Sequence, residues 1–413
     1  MCVESTKFAA AMLEDSAKPR RRGILKTAAY GAVPLVAGSA GVKAMRSSES
    51  DVSSADVEST FEELTEQPSL FIEGLDVPMR SDTATPERAD LAVFGPNNEE
   101  TSADRIISAL NAGTTVAYAG RRSTRRLLGR LQDRKPESLP HTLDSDEKWL
   151  SDLEYTLSVD FRQQNAPHVT LAYPTSVGAM DTYSHIPQTD PTDSEALEDI
   201  FELYEEATLR PEGGSDEFGP GWEYIATTQV VVENCPGGEV KMQRETQKAR
   251  DRDGWVAYRF LDDMLPSRHD DQDCSTWRTR RNSEADRYIE VGGEHDGEWR
   301  DYGPSTTEGQ TTAHVGFDFG SSILNVAWEY EVPDVVVEVG GSHLDEARRW
   351  EHDITSGSSR ADSSFKMEPG ITVEYPANES IVGYDWEEYF RWSSRYATSS
   401  TFEDDGSSAT YIG

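Results

Sequence analysis

Apolar residues recur at two different spacings along the chain, and the change falls near residue 212. Before it, short apolar runs alternate with helical faces. Leu91-Ala92-Val93-Phe94 ends at Gly95-Pro96, and Thr115 to Tyr118 ends at Gly120; both read as buried strands, with Val169 to Tyr173 as a third. Between the first two, Thr101-x-x-Asp104 caps a helix with Ile106, Ile107 and Leu110 on one face, stopped by Gly113. Ser123 to Lys135 predicts a second helix with Leu127, Leu128 and Leu131 inward and Pro136 beyond it. Thr192-x-x-Glu195 opens a third, whose Leu197, Ile200, Phe201 and Tyr204 share one face. Strands alternating with helices imply right-handed crossovers and a small parallel sheet.

Beyond the Gly- and Pro-rich segment 210–221 the period falls from 3.6 to 2. Trp222, Tyr224, Ala226, Thr228, Val230 and Val232 alternate with more polar partners, and Cys235-Pro236-Gly237-Gly238 turns the chain into a strand with Val240 and Met242. The alternation resumes at Trp255–Leu261, at Val315/Phe317/Phe319 and at Leu324/Val326/Trp328/Tyr330/Val332. Pro369-Gly370 predicts a second hairpin between Phe365/Met367 and Ile371/Val373/Tyr375, and Tyr384, Trp386, Phe390 and Trp392 close the series. Pro333 belongs at a bend or on an edge. The fold class expected is therefore α+β in two domains. Residues 69–212 form a three-layer α/β domain, Rossmann-like in outline, and residues 222–413 an antiparallel β-sandwich.

The N-terminus carries an address. Arg20-Arg21-Arg22-Gly23-Ile24-Leu25-Lys26, then a weakly apolar stretch ending among small residues, resembles a twin-arginine export signal, with Arg21 and Arg22 as its motif. The resemblance covers about the first 45 residues and implies passage through the twin-arginine translocase already folded, to the cell surface or medium. The organisation expected is a signal peptide over 1–44 and an acidic linker over 45–68, with no membrane span in the mature protein.

Charge identifies the solvent. Of 413 residues, 76 are acidic and 39 basic, for a net charge of −37, and nine of the basic residues are lysines. Residues 1–44 hold 7 basic and 3 acidic residues, so the remainder sets 32 against 73 and carries −41. That composition resembles exported proteins of extremely halophilic archaea, because molar salt shortens the Debye length to about 3 Å and screens the repulsion. Such a surface repels nucleic-acid phosphates and anionic lipid headgroups. Cys2 leaves with the signal, and Cys235 and Cys274 either pair as one disulfide, contributing about 4 kcal/mol in the chain-entropy model, or remain two thiols.

Catalytic motifs are missing: no Gly-x-Ser-x-Gly, no Gly-Lys pair, no His-Glu-x-x-His and no Cys-x-x-Cys. The best positive candidate is an anion site at Gly120-Arg121-Arg122-Ser123-Thr124, between a strand and a helix, with Asn97, Asn98, Thr175 and Ser176 from neighbouring strand ends. The plainer reading is an amphipathic helix whose arginines pair with surface carboxylates. Asp270-Asp271-x-Asp273 and Asp251-x-Asp253-Gly254 look like calcium-loop fragments, but acids are frequent enough here to produce such pairs by chance. His343 and His352 bracket Asp345, Glu346, Glu351 and Asp353 at a spacing that matches no metal motif, so neither metal nor cofactor is expected. Eight of nine tryptophans lie beyond residue 220; alternation assigns most to core, with Trp255, beside Arg259, as an exposed exception. Asn378-Glu379-Ser380 is the one glycosylation sequon. Together these features favour a non-catalytic envelope module that binds glycan or protein. The alternative is a hydrolase or transferase acting on an anionic substrate, with Arg121 and Arg122 as clamps.

Overall fold

The computed structural model describes residues 64, 67–96, 103–127, 154–162, 168–210, 214, 218–266, 280–304, 312–317, 326–331, 335–340, 347–377 and 379–412, with short breaks inside some spans. The signal segment, Asn97, Asn98, Cys235, Cys274, Pro333, His343 and Asn378 lie outside the described residues, as do Asp251 and the Asp270 cluster.

Two of the first three strands fall where the sequence pattern puts them, and the first was not expected. β1 (Leu70–Glu73), β2 (Leu91–Phe94) and β3 (Thr115–Ala119) pair in parallel, and α1 (Ala103–Asn111) crosses from β2 to β3. Gly113, at φ +84°, ends that helix in the left-handed region that costs glycine least. α2 is described over Ser123–Leu127 only. α3 (Asp193–Leu209) carries the expected capping box between Thr192 and Glu195, and buries Leu197, Ile200, Phe201 and Tyr204 against the sheet.

The parallel sheet stops there. β5 (Val169–Pro174) runs antiparallel to β3 and forms a hairpin with β6 (Ala179–Ile186). Residues 182–186 of β6 then pair in parallel with β7 (Trp222–Asn234), which continues antiparallel into β8 (Gly238–Ala249) and β9 (Trp255–Pro266). On the far side of β9 lie β16 (Phe365–Met367) and β17 (Gly370–Glu374), and β11 (Glu298–Gly303) pairs with β17. The first residues of β6, Ala179 and Met180, pair instead with β4 (Thr156–Arg162), so the sheet forks at β6. The second arm runs β4, β19 (Ser400–Tyr411), β18 (Ile381–Ser393), β10 (Arg281–Glu290), β15 (Ala347–Ile354) and β14 (Val335–Gly340), antiparallel throughout. β12 (Thr312–Phe317) and β13 (Val326–Glu331) form a separate two-stranded sheet.

The expected fold class is therefore corrected. The chain is not a Rossmann-like α/β domain followed by a sandwich; it is a mostly β protein built on one large, curled, mixed sheet. The expectation failed because β4 and β6 lack a clean apolar signature. β4 and β6 carry Ser158, Arg162, Asp181, Thr182 and Ser184 in buried positions and Asp160 half-buried, so periodicity passes over the strands that join the halves. Pro369-Gly370 is also not a hairpin turn. β16 and β17 both pair with β9 and continue one broken strand, the break falling at Pro369, which has no N–H to give the ladder.

The two arms pack face to face. Val240, Met242, Val256, Tyr258 and Phe260 from one meet Ala285, Ile289, Val382, Tyr384, Trp386 and Phe390 from the other. Tyr384 sits edge-on to Tyr258, with ring centroids 5.0 Å apart.

Candidate functional site

The densest chemistry in the described residues lies between these arms. Along β18 the inward series Val382, Tyr384, Trp386, Glu388, Phe390, Trp392 places a carboxylate in an apolar slot. β9 does the same with Asp262 between Phe260 and Met264, and β10 puts Arg287 between Ala285 and Ile289. β8 contributes Arg244, β4 Asp160 and Arg162, and β19 Asp404.

These groups satisfy one another in large part, although Arg162 Nε, Arg244 Nε and Glu388 Oε2 are buried without a hydrogen-bond partner. Arg287 donates Nε to Asp262 Oδ2 (2.8 Å), and its Nη2 to Asp262 Oδ1 and Glu388 Oε1 (2.6 Å each), while its guanidinium lies 4.6 Å from the Phe260 ring centre. Arg162 donates to Asp404, approaches Glu388 Oε2 at 3.7 Å and stacks 4.8 Å from Trp386. Arg244 sits where the sheet forks: it donates to Asp160 on β4, Tyr384 Oη (2.7 Å) on β18, Ser408 on β19, Ser158 Oγ (2.7 Å) and Thr228 Oγ1 (3.2 Å). One guanidinium thus ties together strands from both arms.

Three guanidiniums face four carboxyls, Asp160, Asp262, Glu388 and Asp404. Burial raises the proton affinity of Glu388, and Arg287 and Arg162 offset only part of it; Asp262 moves the same way for the same cause. Two carboxyls elsewhere on the sheet behave alike. Burial pushes Asp286, hydrogen-bonded to Arg349, up to about 7, and Glu239 up to about 7.

A second cluster lies at the strand ends beneath α3. His185 Nδ1 is 3.0 Å from Asp199 of α3, and its Nε2 is 3.6 Å from Glu233 of β7. Burial opposes charge on the ring, but these two carboxylates outweigh it and hold His185 protonated well above its ordinary range. Its role is to pin the helix to the sheet. His352 of β15 behaves oppositely. Burial drives it down to about 4; Tyr330 Oη lies 3.1 Å from its Nε2 and the Ala285 carbonyl 3.2 Å from its Nδ1. It is a neutral core histidine.

Stability should therefore fall from pH 5 to pH 8. Glu388, Asp286 and Glu239 bind protons more tightly folded than unfolded, so their contribution is complete below about 4.5 and is lost as pH rises through the folded values. His185, also raised, loses its contribution above its unfolded value of about 6.5. His352, depressed, works against acid between about 6.5 and 4 and limits the gain at the low end. Thermal melts in molar salt should show a midpoint several degrees lower at pH 8 than at pH 5. Glu388→Gln should flatten that slope.

The anion candidate comes together only in part. Gly120 follows β3 at φ +130°, and Pro96, beyond the end of β2, lies beside it. Arg121 pairs with Asp190 at 2.6 Å on the exposed surface, which raises the guanidinium and lowers the carboxyl. Arg122 takes the left-handed conformation at φ +60°. The Ser123 and Thr124 hydroxyls lie 2.5 and 3.1 Å from that of Thr170. Thr175 and Ser176 are elsewhere. Because β5 runs antiparallel to β3, they sit at its far end, roughly 17 Å along the strand. Thr175 closes the β5–β6 turn by donating to the Ala179 carbonyl.

The aromatic expectation holds for most tryptophans. Trp222, Trp328, Trp350, Trp386 and Trp392 are buried. Trp255, expected to be exposed, is buried too, with Arg252 3.9 Å over its ring. Gly254, at φ +80°, makes the turn before it, and its carbonyl accepts from Tyr375 N (2.7 Å), so Asp253-Gly254 serves a structural purpose. Among the described residues no group of three or more His, Cys, Asp or Glu is arranged to hold a metal.

No protein-family model matches the chain, and no curated protein matches it. Among solved structures, Clostridium perfringens delta-toxin overlays with a TM-score of 0.34 at 10% identity, covering 46% of this chain and 94% of that one. A second, described as a pore forming protein, gives a TM-score of 0.31 at 10% identity over 45% and 92%. Similarity at that level assigns neither fold nor function.

Proposed function

We propose that this is an exported, salt-requiring, non-catalytic module of the cell envelope that binds a protein partner. The supporting observation is how charge is partitioned. Guanidiniums and carboxyls that could serve catalysis lie between the arms and are paired with one another, while outward strand positions carry Glu223, Glu298, Glu329, Glu331, Asp353, Glu387 and Glu403. A protein ligand is favoured over a glycan because, among the described residues, six tryptophans lie in the core and the seventh, Trp299, is half-buried against it, which leaves little stacking surface for a sugar. The enzyme alternative loses support for a related reason. His185 is held charged between two carboxylates, and among the described residues no serine or threonine hydroxyl is hydrogen-bonded to its ring to act as a nucleophile.

Export is tested by labelling the surface of intact haloarchaeal cells with a membrane-impermeant reagent. The wild-type chain should be labelled, and the Arg21→Lys/Arg22→Lys variant should stay inside and unlabelled. Equal labelling of both would remove the twin-arginine route. Binding is tested by passing solubilised envelope protein over the immobilised chain in molar potassium chloride; recovery of no protein above a control column would overturn that half of the proposal.

A further inference from the structure

The outer face of the second arm is crowded with acid. Along β10, Ala285, Arg287 and Ile289 turn inward, so Glu284, Asp286, Tyr288 and Glu290 turn outward. The neighbouring strands set acids directly against acids. Glu284 lies opposite Asp353 and Asp286 opposite Glu351 on β15, Glu290 lies opposite Asp385 on β18, and Glu387 of β18 lies opposite Asp405 of β19. Like charges directly opposed across a sheet are destabilising, and an acidic surface can avoid that cost by staggering its acids. Here four opposed pairs share one face. In the same rows the basic residues are Arg349 and Arg391, and Tyr288 and Tyr389 stand half-buried between them.

The middle of this face is short of donors. Asp286 Oδ2 accepts from Arg349 (2.9 Å), but Oδ1 is buried with no hydrogen-bond partner. The Arg349 side chain is 43% exposed, so a small swing opens Asp286 to a donor from outside. Burial, and then Asp353, raise the proton affinity of Glu284, as expected of carboxyls held together without enough cations. Around this centre Asp353, Glu387 and Glu403 are exposed, so the face is open to solvent. The two resident arginines show what it accepts. Arg349 reaches from β15 to Asp286 of β10, with its Nε 3.5 Å from Glu351, and Arg391 of β18 lies 3.5 Å from Glu284 of β10. Each guanidinium crosses between neighbouring strands.

Salt and size then select the partner. Molar salt confines electrostatic attraction to about 3 Å, which leaves direct contact only. At contact a guanidinium offers a carboxylate two parallel N–H donors, sheds water more readily than an ammonium and stacks on tyrosine. The four strands and the rows from Glu284 to Glu290 cover roughly 14 Å by 20 Å, the footprint of an extended segment of about six residues. A globular domain needs more.

We propose that the outer face of β15, β10, β18 and β19 binds an extended, arginine-rich segment of a partner protein, whose guanidiniums seat between the opposed carboxylates. Such a segment supplies the cations that the four acid pairs lack and a donor for Asp286 Oδ1, and it offers guanidinium planes to Tyr288 and Tyr389. This rests on the protein-binding reading above and names its surface and the chemistry of the partner.

The test is fluorescence anisotropy of dye-labelled hexa-arginine and hexa-lysine peptides titrated with the full chain in molar potassium chloride. Two variants accompany the wild type. Glu387→Gln/Glu403→Gln/Asp405→Asn neutralises the face, and Glu223→Gln/Glu298→Gln/Glu329→Gln removes the same charge from exposed positions elsewhere. The wild type should bind hexa-arginine at least tenfold more tightly than hexa-lysine. The face variant should lose at least tenfold in hexa-arginine affinity, and the control variant less than twofold. No binding of hexa-arginine at millimolar protein, equal affinity for the two peptides, or equal losses in the two variants would overturn the proposal. Passing solubilised envelope protein over both immobilised chains separates this site from the broader reading: a protein held equally by the wild type and the face variant would keep the binding role and overturn the site.

Discussion

Replacing Arg287 by leucine should destabilise the fold by about 3–5 kcal/mol, among the largest effects open to a single substitution here. Arg287 is the shared donor of Asp262 and Glu388, both buried, and leucine leaves two carboxyls facing each other with no hydrogen-bonding cation, Arg162 standing 3.7 Å from Glu388. Each can escape only by taking up a proton, so the variant should also be more acid-dependent than the parent. Restoring balance tests the reasoning: Arg287→Leu with Asp262→Leu and Glu388→Leu removes charge from both sides and should recover much of the loss, as apolar replacement of a buried ionic group often does. Chemical denaturation in molar potassium chloride measures all three chains. A single-variant loss below about 1 kcal/mol would mean that the cluster is wetter than its burial indicates.

The local pieces of this fold are legible in the sequence, and the joints between them are not. The α3 face and its Thr192/Glu195 cap, the crossover from β2 to β3 through α1, and the β7–β8 hairpin all lie where apolar spacing puts them. What spacing misses is the fork, because β4 and β6 are lined with Ser158, Arg162, Thr182 and Ser184. These polar residues are buried by partners up to 252 positions away, as in the hydrogen bond between Ser158 and Thr410, and no local pattern encodes that distance. The charged interior left a trace that was readable. Asp262 falls in phase with Tyr258, Phe260 and Met264, Glu388 with Tyr384, Trp386 and Phe390, and Arg287 with Ala285 and Ile289. A charge in phase with aromatic neighbours on three strands signals complementary partners facing across a core. The arginines singled out instead, Arg121 and Arg122, stood out by local density, which says little about burial; Arg121 answers Asp190 at the surface.

The acidic coat should make the fold conditional on salt. A chain of net charge −37, or −41 without its first 44 residues, repels itself at distances that grow as salt is removed. The Debye length is about 3 Å at 1 M and about 10 Å at 0.1 M, so outward carboxylates on adjacent strands, such as Glu387 and Glu403, pass from screened to mutually repelling. The interior cluster is screened far less and should not respond, which separates the two electrostatic contributions. Halving the surface excess with acid-to-lysine changes at outward positions should move the salt requirement down, whereas Arg287→Leu should lower stability equally at every salt concentration. The most direct measurement is the thermal melt of the purified chain across potassium chloride from 3 M to 0.1 M, followed by circular dichroism. The account predicts a cooperative transition at high salt whose midpoint falls steeply and vanishes before 0.1 M; a cooperative melt with the same midpoint at both ends would contradict it.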